Sequence, residues 1–164
     1  MKKLVSICTV IVLCLGILAG CGQKAEEEES IVKLVWDGKT IEVTSSQWDE
    51  KAVQISTKDT SLGNDKVYDF VGVKLSDLME IAGAGECTKA IVYASDGYES
   101  NVRAEDLKEY DIALVNGYAD GTTIPTDAGG PVKLIFPIND HPELSEDYDR
   151  WSWMWYVYKI EFVK

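Results

Sequence analysis

A single α+β domain with a mixed sheet is the fold this sequence predicts, and three observations predict it. The apolar segments are short and β-prone, separated by Gly, Asp and Asn turn signals, with only two or three short stretches at helical spacing and no regular strand-helix-strand rhythm. The length left after residues 1–30 are set aside suits one domain of ordinary size. Of four cysteines, only Cys87 falls within that length, so no internal disulfide is expected and stability must come from a packed core.

Lys2 and Lys3 precede an apolar run from Leu4 to Leu18, after which come Ala19, Gly20 and Cys21. A basic start, a short apolar stretch and a small-residue exit make a secretory signal peptide of residues 1–20. The run is short of the ~20 residues needed to span a bilayer. Leu18-Ala19-Gly20-Cys21 resembles the bacterial lipobox, which implies acylation of the Cys21 sulfur and a mature chain that starts there. Acyl chains contribute about 0.8 kcal/mol per buried CH₂, so two or three hold a protein at a membrane where one does not. The expected location is the extracytoplasmic face of the bacterial cell membrane, lipid-anchored and not spanning.

Residues 21–30, with Glu26 to Glu29 in a row, cannot bury apolar surface, and their charges repel, so they read as a flexible acidic tether. The net charge is −12, and loss of Lys2 and Lys3 takes it to −14. That balance argues against nucleic acid as a partner and against electrostatic docking on anionic lipid.

The domain, residues 31–164, opens with a hairpin: Ile31 to Trp36 and Lys39 to Thr44 flank Asp37-Gly38, a strong two-residue turn signal. Ser45 to Glu50 reads as a turn or single helical turn, Ala52 to Ser56 as a strand, Thr57 to Lys66 as a polar loop and Val67 to Val73 as a strand. Leu75, Leu78, Met79 and Ala82 recur at helical spacing, and Gly83 closes that helix. Ala90 to Ala94 and Tyr98 to Val102 are partner strands about the Asp96-Gly97 turn. Ala104 to Glu109 is a short acidic helix and Ile112 to Val115 another strand.

Between Asp120 and Lys133 lies a loop rich in small residues. Asp120-Gly121 is a turn signal, Gly129 and Gly130 permit backbone angles barred to other residues, and Pro131 leads into the apolar run Val132 to Phe136, read as a buried strand. Such a loop lets a ligand approach bare backbone, and it is equally what an ordinary tight connection looks like. At the end, Trp151 to Val163 is β-prone, with Trp151, Trp153, Trp155 and Val157 on one face. The phase changes at Ile160 and Phe162, which places a bulge or helical turn near Tyr158. The tryptophan stripe suits a core cap, or a stacking surface for a flat ligand.

Four stretches in register carry a resemblance. Gly72-Val73-Lys74-Leu75-Ser76-Asp77-Leu78 is similar to a Gly-Val-Pro-Leu-x-x-Leu helix start, and Ser95-Asp96-Gly97-Tyr98 to a Ser-Ala-Asp-Gly-Tyr turn. Gly121 through Gly129, Pro131 and Lys133 resembles an Asn-Gly loop followed by Gly-x-Pro-x-Arg. Trp155 to Phe162 resembles a closing Trp-Val-x-x-Ile-x-Ile strand. Val71 to Lys164 therefore looks like the oxidoreductase molybdopterin-binding domain, the core of the sulfite oxidase family. The resemblance implies the mixed-sheet sulfite oxidase-type fold with a few short helices. It also implies a molybdopterin site drawn from Ser95, Asp96, Tyr98, Asp120, Gly121, Gly129, Gly130 and Lys133.

The departures bear on function. The family ligates molybdenum through a Cys thiolate in a loop upstream of the Gly-Val-Pro-Leu helix; here the corresponding Gln54 to Gly63 offers Ser56, Thr57, Lys58, Asp59, Thr60 and Ser61 and no Cys. The family's loop Asn is Asp120, its His is Ala128 and its Arg is Lys133. A guanidinium fork binds phosphate bidentately, whereas Lys offers a point charge and Asp repels. Cys87 reads as a small buried apolar residue, and the acidic surroundings of the single His141 fit no zinc or calcium pattern, so no metal ligand is assigned.

Two readings follow. One is a lipid-anchored module that presents the Ser95–Tyr98 turn and the Asp120–Lys133 loop to a pterin, another small ligand or a partner protein. The other is a molybdopterin-dependent oxidoreductase with an atypical ligand set, passing electrons to a membrane redox partner.

Overall fold

A computed structural model describes residues 28–164 of the chain. The expectations for the signal peptide, for Cys21 and for most of the tether concern residues outside that range. Strand β1 (Ser30–Trp36) already includes the last tether residue, and the Glu29 carbonyl accepts the Ser45 amide at 3.1 Å.

β1 turns through Asp37 (φ 50°) and Gly38 (φ 75°) into β2 (Lys39–Thr44), as the Asp-Gly signal requires. Helix α1 (Ser45–Lys51) is longer than the single turn expected. Thr44 caps it, accepting the Gln47 amide while the Gln47 side chain bonds back to Thr44, and Trp48 anchors it in the core. β3 (Val53–Lys58) and β4 (Val67–Lys74) follow, joined by a loop with one 3₁₀ turn at Thr60–Leu62. Helix α2 (Leu75–Ala82) buries Leu75, Leu78, Met79 and Ala82 and stops at Gly83 (φ 68°). Next come β5 (Lys89–Ala94), β6 (Glu99–Arg103), α3 (Ala104–Glu109), β7 (Ala113–Tyr118), β8 (Lys133–Ile135), the single turn α4 (Leu144–Asp147) and β9 (Val157–Val163).

The strands form two sheets. One runs β2-β1-β9-β5-β6, in which β1 and β9 are parallel and the other pairs antiparallel; the second, β3-β4-β7-β8, is antiparallel throughout. The α+β mixed-sheet expectation thus holds. Leu34, Phe70, Val73, Leu78, Leu114, Phe136 and Ile160 are essentially inaccessible and belong to one apolar core. Each such side chain contributes about 1.5–3 kcal/mol relative to exposure. Among the described residues no helix is long and apolar enough to cross a membrane.

The closing segment corrects one expectation and meets another. Trp151 to Tyr156 does not extend β9. The Asp149 carboxylate accepts the amides of Trp151 and Ser152 at 3.0 and 3.2 Å and coils the chain into turns, and Tyr156 takes φ 56°. β9 therefore starts at Val157. Its register with β5 steps from Lys159 opposite Tyr93 to Val157 opposite Ala94, leaving Tyr158 as the bulge.

Candidate functional site

Because Trp151 to Tyr156 is coiled, its aromatic residues do not share one face. Trp151 stands out at 72% exposure, Trp153 is buried with its ring 5.6 Å from Phe136, and Trp155 is half-buried. With Ser61 from the β3–β4 loop, Asp96 and Tyr98 from the β5–β6 turn, Arg150 and Met154, these three tryptophans line a cleft of about 270 Å³. Tyr98, 66% exposed, and Trp151 form its rim, and the Arg150 guanidinium lies 4.9 Å from the Trp151 ring centre. The Trp153 indole N–H is an orphaned buried donor, the one side-chain polar atom of that kind among the described residues.

Behind the Trp155 side of the wall the polar groups form one paired chain. Trp155 Nε1 donates to Ser61 Oγ at 2.9 Å, and Ser61 Oγ donates to Asp59 Oδ1 at 2.6 Å. The other Asp59 oxygen forms an ion pair with Lys133 Nζ, which also donates to the Ala128 carbonyl at 3.1 Å and sits 5.1 Å from the Trp155 ring centre. Lys133 is fully buried and Asp59 1% exposed. Burial pulls the Lys133 ammonium below the usual lysine range, and Asp59 pulls it back in part.

A second polar cluster steadies the segment that leads to the rim. The Tyr148 hydroxyl donates to the Asp106 carboxylate and accepts the Arg103 amide at 3.2 Å, and the Arg103 guanidinium reaches Asp106 at 2.7 Å and Asp147 at 2.5 Å. Tyr148 stacks on Phe136 at 4.5 Å between ring centres. Burial, with the Asp106 hydrogen bond, pushes the Tyr148 hydroxyl up to about 12.

The eight residues proposed from the sequence fall in three places. Asp96 and Tyr98 line the aromatic cleft, and Ser95 beside them is exposed, its amide bonded to the Tyr156 carbonyl at 3.0 Å. Asp120 borders a separate groove with Tyr68, Asp69 and Tyr118, where it accepts the amide and hydroxyl of Thr122 at 2.9 and 2.6 Å; Gly121 makes the adjoining turn at φ 85°. Those bonds hold the Asp120 carboxyl below its usual range. Gly129, Gly130 and Lys133 lie behind the cleft wall.

It is the Trp155 ring that approaches the bare backbone there. A Cβ on Gly129, whose φ is 96°, would lie 2.6 Å from the indole Cγ, and one on Gly130 would lie 1.8 Å from the Ile124 carbonyl oxygen. Lys133 does not reach the cleft surface in this conformation. Sequence reasoning placed Asp59 in a polar loop and missed its pairing with Lys133, 74 residues away. Only a buried lysine demanding a counter-charge would have signalled it. Cys87 is buried, 3.5 Å from the Met79 sulfur, with its thiol pushed up by burial. Among the described residues no three His, Cys, Asp or Glu side chains converge to hold a metal. His141 contacts Glu143 at 3.3 Å and Tyr110 edge-on.

The model of the oxidoreductase molybdopterin binding domain matches residues 29–139. The chain belongs to that family. The match begins at the first strand, well before the Val71 at which the sequence resemblance was drawn, and stops short of β9. No curated protein matches the chain. Among solved structures, the sulfane dehydrogenase SoxCD from Paracoccus pantotrophus is similar in fold, with a TM-score of 0.59 at 15% identity over 80% of this chain. The chain spans 37% of the length of that SoxCD chain.

Membership in a molybdopterin-binding family makes the fit of the residues the next question. The loop matched by resemblance to the family's thiolate loop brings Ser61 to the cleft and buries Asp59 behind it, both oxygen donors and both engaged with neighbours. Lys133, the residue matched to the family's Arg, is turned inward to neutralise Asp59. The residues present do not fit a thiolate-ligated molybdenum held by an anion contact from Lys133.

Proposed function

We propose that this chain is a lipid-anchored, extracytoplasmic protein whose molybdopterin-binding-type fold serves as a small-ligand-binding module, with the aromatic cleft as its binding site and no molybdenum. The observation that carries this reading is the buried Asp59–Lys133 pair, which spends internally the two groups most able to meet a metal and an anionic cofactor. What is left open to solvent is an aromatic cleft with a hydroxyl, a carboxylate and a guanidinium at its edge, the mix expected of a site that orients a flat ligand. The lipobox-like Leu18 to Cys21 supports the anchor.

Ligands that bind only the native state raise the melting temperature. A flat ligand that stabilises the wild type and not Trp151→Ala, a variant whose own melting temperature should be unchanged, supports the cleft. Stabilisation that survives Trp151→Ala contradicts it. Replacing Cys21 by Ser should release the protein from the membrane fraction, and retention there contradicts the anchor.

Family membership favours a second reading, an oxidoreductase that keeps molybdopterin through other donors and passes electrons to a membrane partner. Stoichiometric molybdenum in the purified protein decides for it.

A further inference from the structure

Two opposite charges line the cleft without meeting each other or any other charged group among the described residues. Asp96 and Arg150 are absent from every ion pair, although eleven others form. Asp96 accepts only the Tyr98 amide, at 3.3 Å, and Arg150 rests against the Trp151 ring. Both are exposed to solvent. A molecule that fills the cleft takes water from both. A neutral ligand leaves both without an ionic partner, and a ligand with one charge leaves the other so, whereas a ligand of both signs exchanges the lost water for two charge-assisted contacts. The occupant that satisfies both carries both signs. Arg150 suits a carboxylate, which its planar fork can hold by two parallel bonds, and Asp96 suits an ammonium. Trp151, Trp155 and Tyr98 suit a flat apolar body. The volume, about 270 Å³, lies just under the roughly 300–1,000 Å³ of sites for drug-sized molecules, so the ligand is small.

From this pairing of Asp96 and Arg150, each without an ionic partner, on the lining of one aromatic cleft, we infer that the site binds a zwitterion with a flat apolar side group, the class of the aromatic α-amino acids. The inference rests on the cleft being a ligand site. The Trp155 wall is held from behind by Ser61 and Gly129, so it meets such a ligand already oriented.

Calorimetric titration of the full chain in detergent with three probes tests it: L-phenylalanine, phenethylamine, which lacks the carboxylate, and 3-phenylpropanoate, which lacks the ammonium. Phenylalanine should bind saturably, and each truncated probe at least about tenfold more weakly, as loss of a charge-assisted hydrogen bond implies. Arg150→Met should abolish the preference over phenethylamine, and Asp96→Asn the preference over 3-phenylpropanoate. Equal binding of the three probes, or preferences that survive these changes, overturns the inference. An uncharged flat probe, 6-methylpterin, separates the two levels. If it binds in a Trp151-dependent way and phenylalanine does not, the zwitterion is wrong and the cleft stands; if neither binds, both fall.

Discussion

The two sides of the Trp155 indole are built on opposite terms. Behind it, Asp59 and Lys133 are buried, paired with each other and supplied with further bonds from Ser61 and Ala128. In front of it, Asp96 and Arg150 are exposed with no ionic partner among the described residues, beside two aromatic rings left in water. Charges that a fold needs for itself are enclosed and complemented, because an unpaired buried charge is expensive. Charges left open at a cleft cost little unbound and become useful when something covers them. The inner side therefore reads as architecture and the outer side as a binding surface, although the family resemblance had drawn candidate residues from both.

Substitutions should separate the two sides sharply. On the inner side, Lys133→Met or Asp59→Asn alone should cost about 3–5 kcal/mol, since each leaves one partner enclosed without its complement. Replacing both together with apolar residues should recover most of that loss in a denaturant titration; additive losses would mean the pair is not a unit. Gly130→Ala should cost about 1–3 kcal/mol or more, because its Cβ would run into the Ile124 carbonyl oxygen.

Tyr148 gives a pH test of the support beneath the rim. Its hydroxyl titrates near 10 when unfolded and at about 12 in the fold, so the native state holds the proton more tightly. Its contribution, about 2–3 kcal/mol, is complete below pH ~10 and is lost as pH rises through about 12. Tyr148→Phe should flatten the fall in urea midpoint across that window; an unchanged slope would contradict the assignment. Smallest of all, Arg150→Ala and Trp151→Ala should move stability by no more than about 0.5 kcal/mol while removing ligand-induced stabilisation.

Local signals carried the elements whose causes are local. Asp37-Gly38 set the hairpin, Gly83 stopped α2, and the phase change between Val157 and Ile160 located the bulge at Tyr158. The Thr44 to Gln47 capping box was also legible, and reading it would have lengthened the expected turn into α1. Alternating tryptophans suggested a strand because period two is all that spacing reports. The competing Asp149 turn, which satisfies two amides at once, won. The small-residue loop around Gly129 signals bare backbone open to close approach, but whether a ligand or Trp155 fills that space depends on a residue 26 positions on. The Asp59–Lys133 pair is non-local in the same way, and it takes Lys133 out of the candidate site and into the interior.

Quantifying molybdenum and pterin released from the full chain, purified from a host replete in both, tests the central claim most directly. Only trace molybdenum is expected, since the inward ion pair and the lack of a thiol among the residues lining the cleft leave no thiolate and no free anion contact for the metal cofactor. One molybdenum and one pterin per chain would contradict the account.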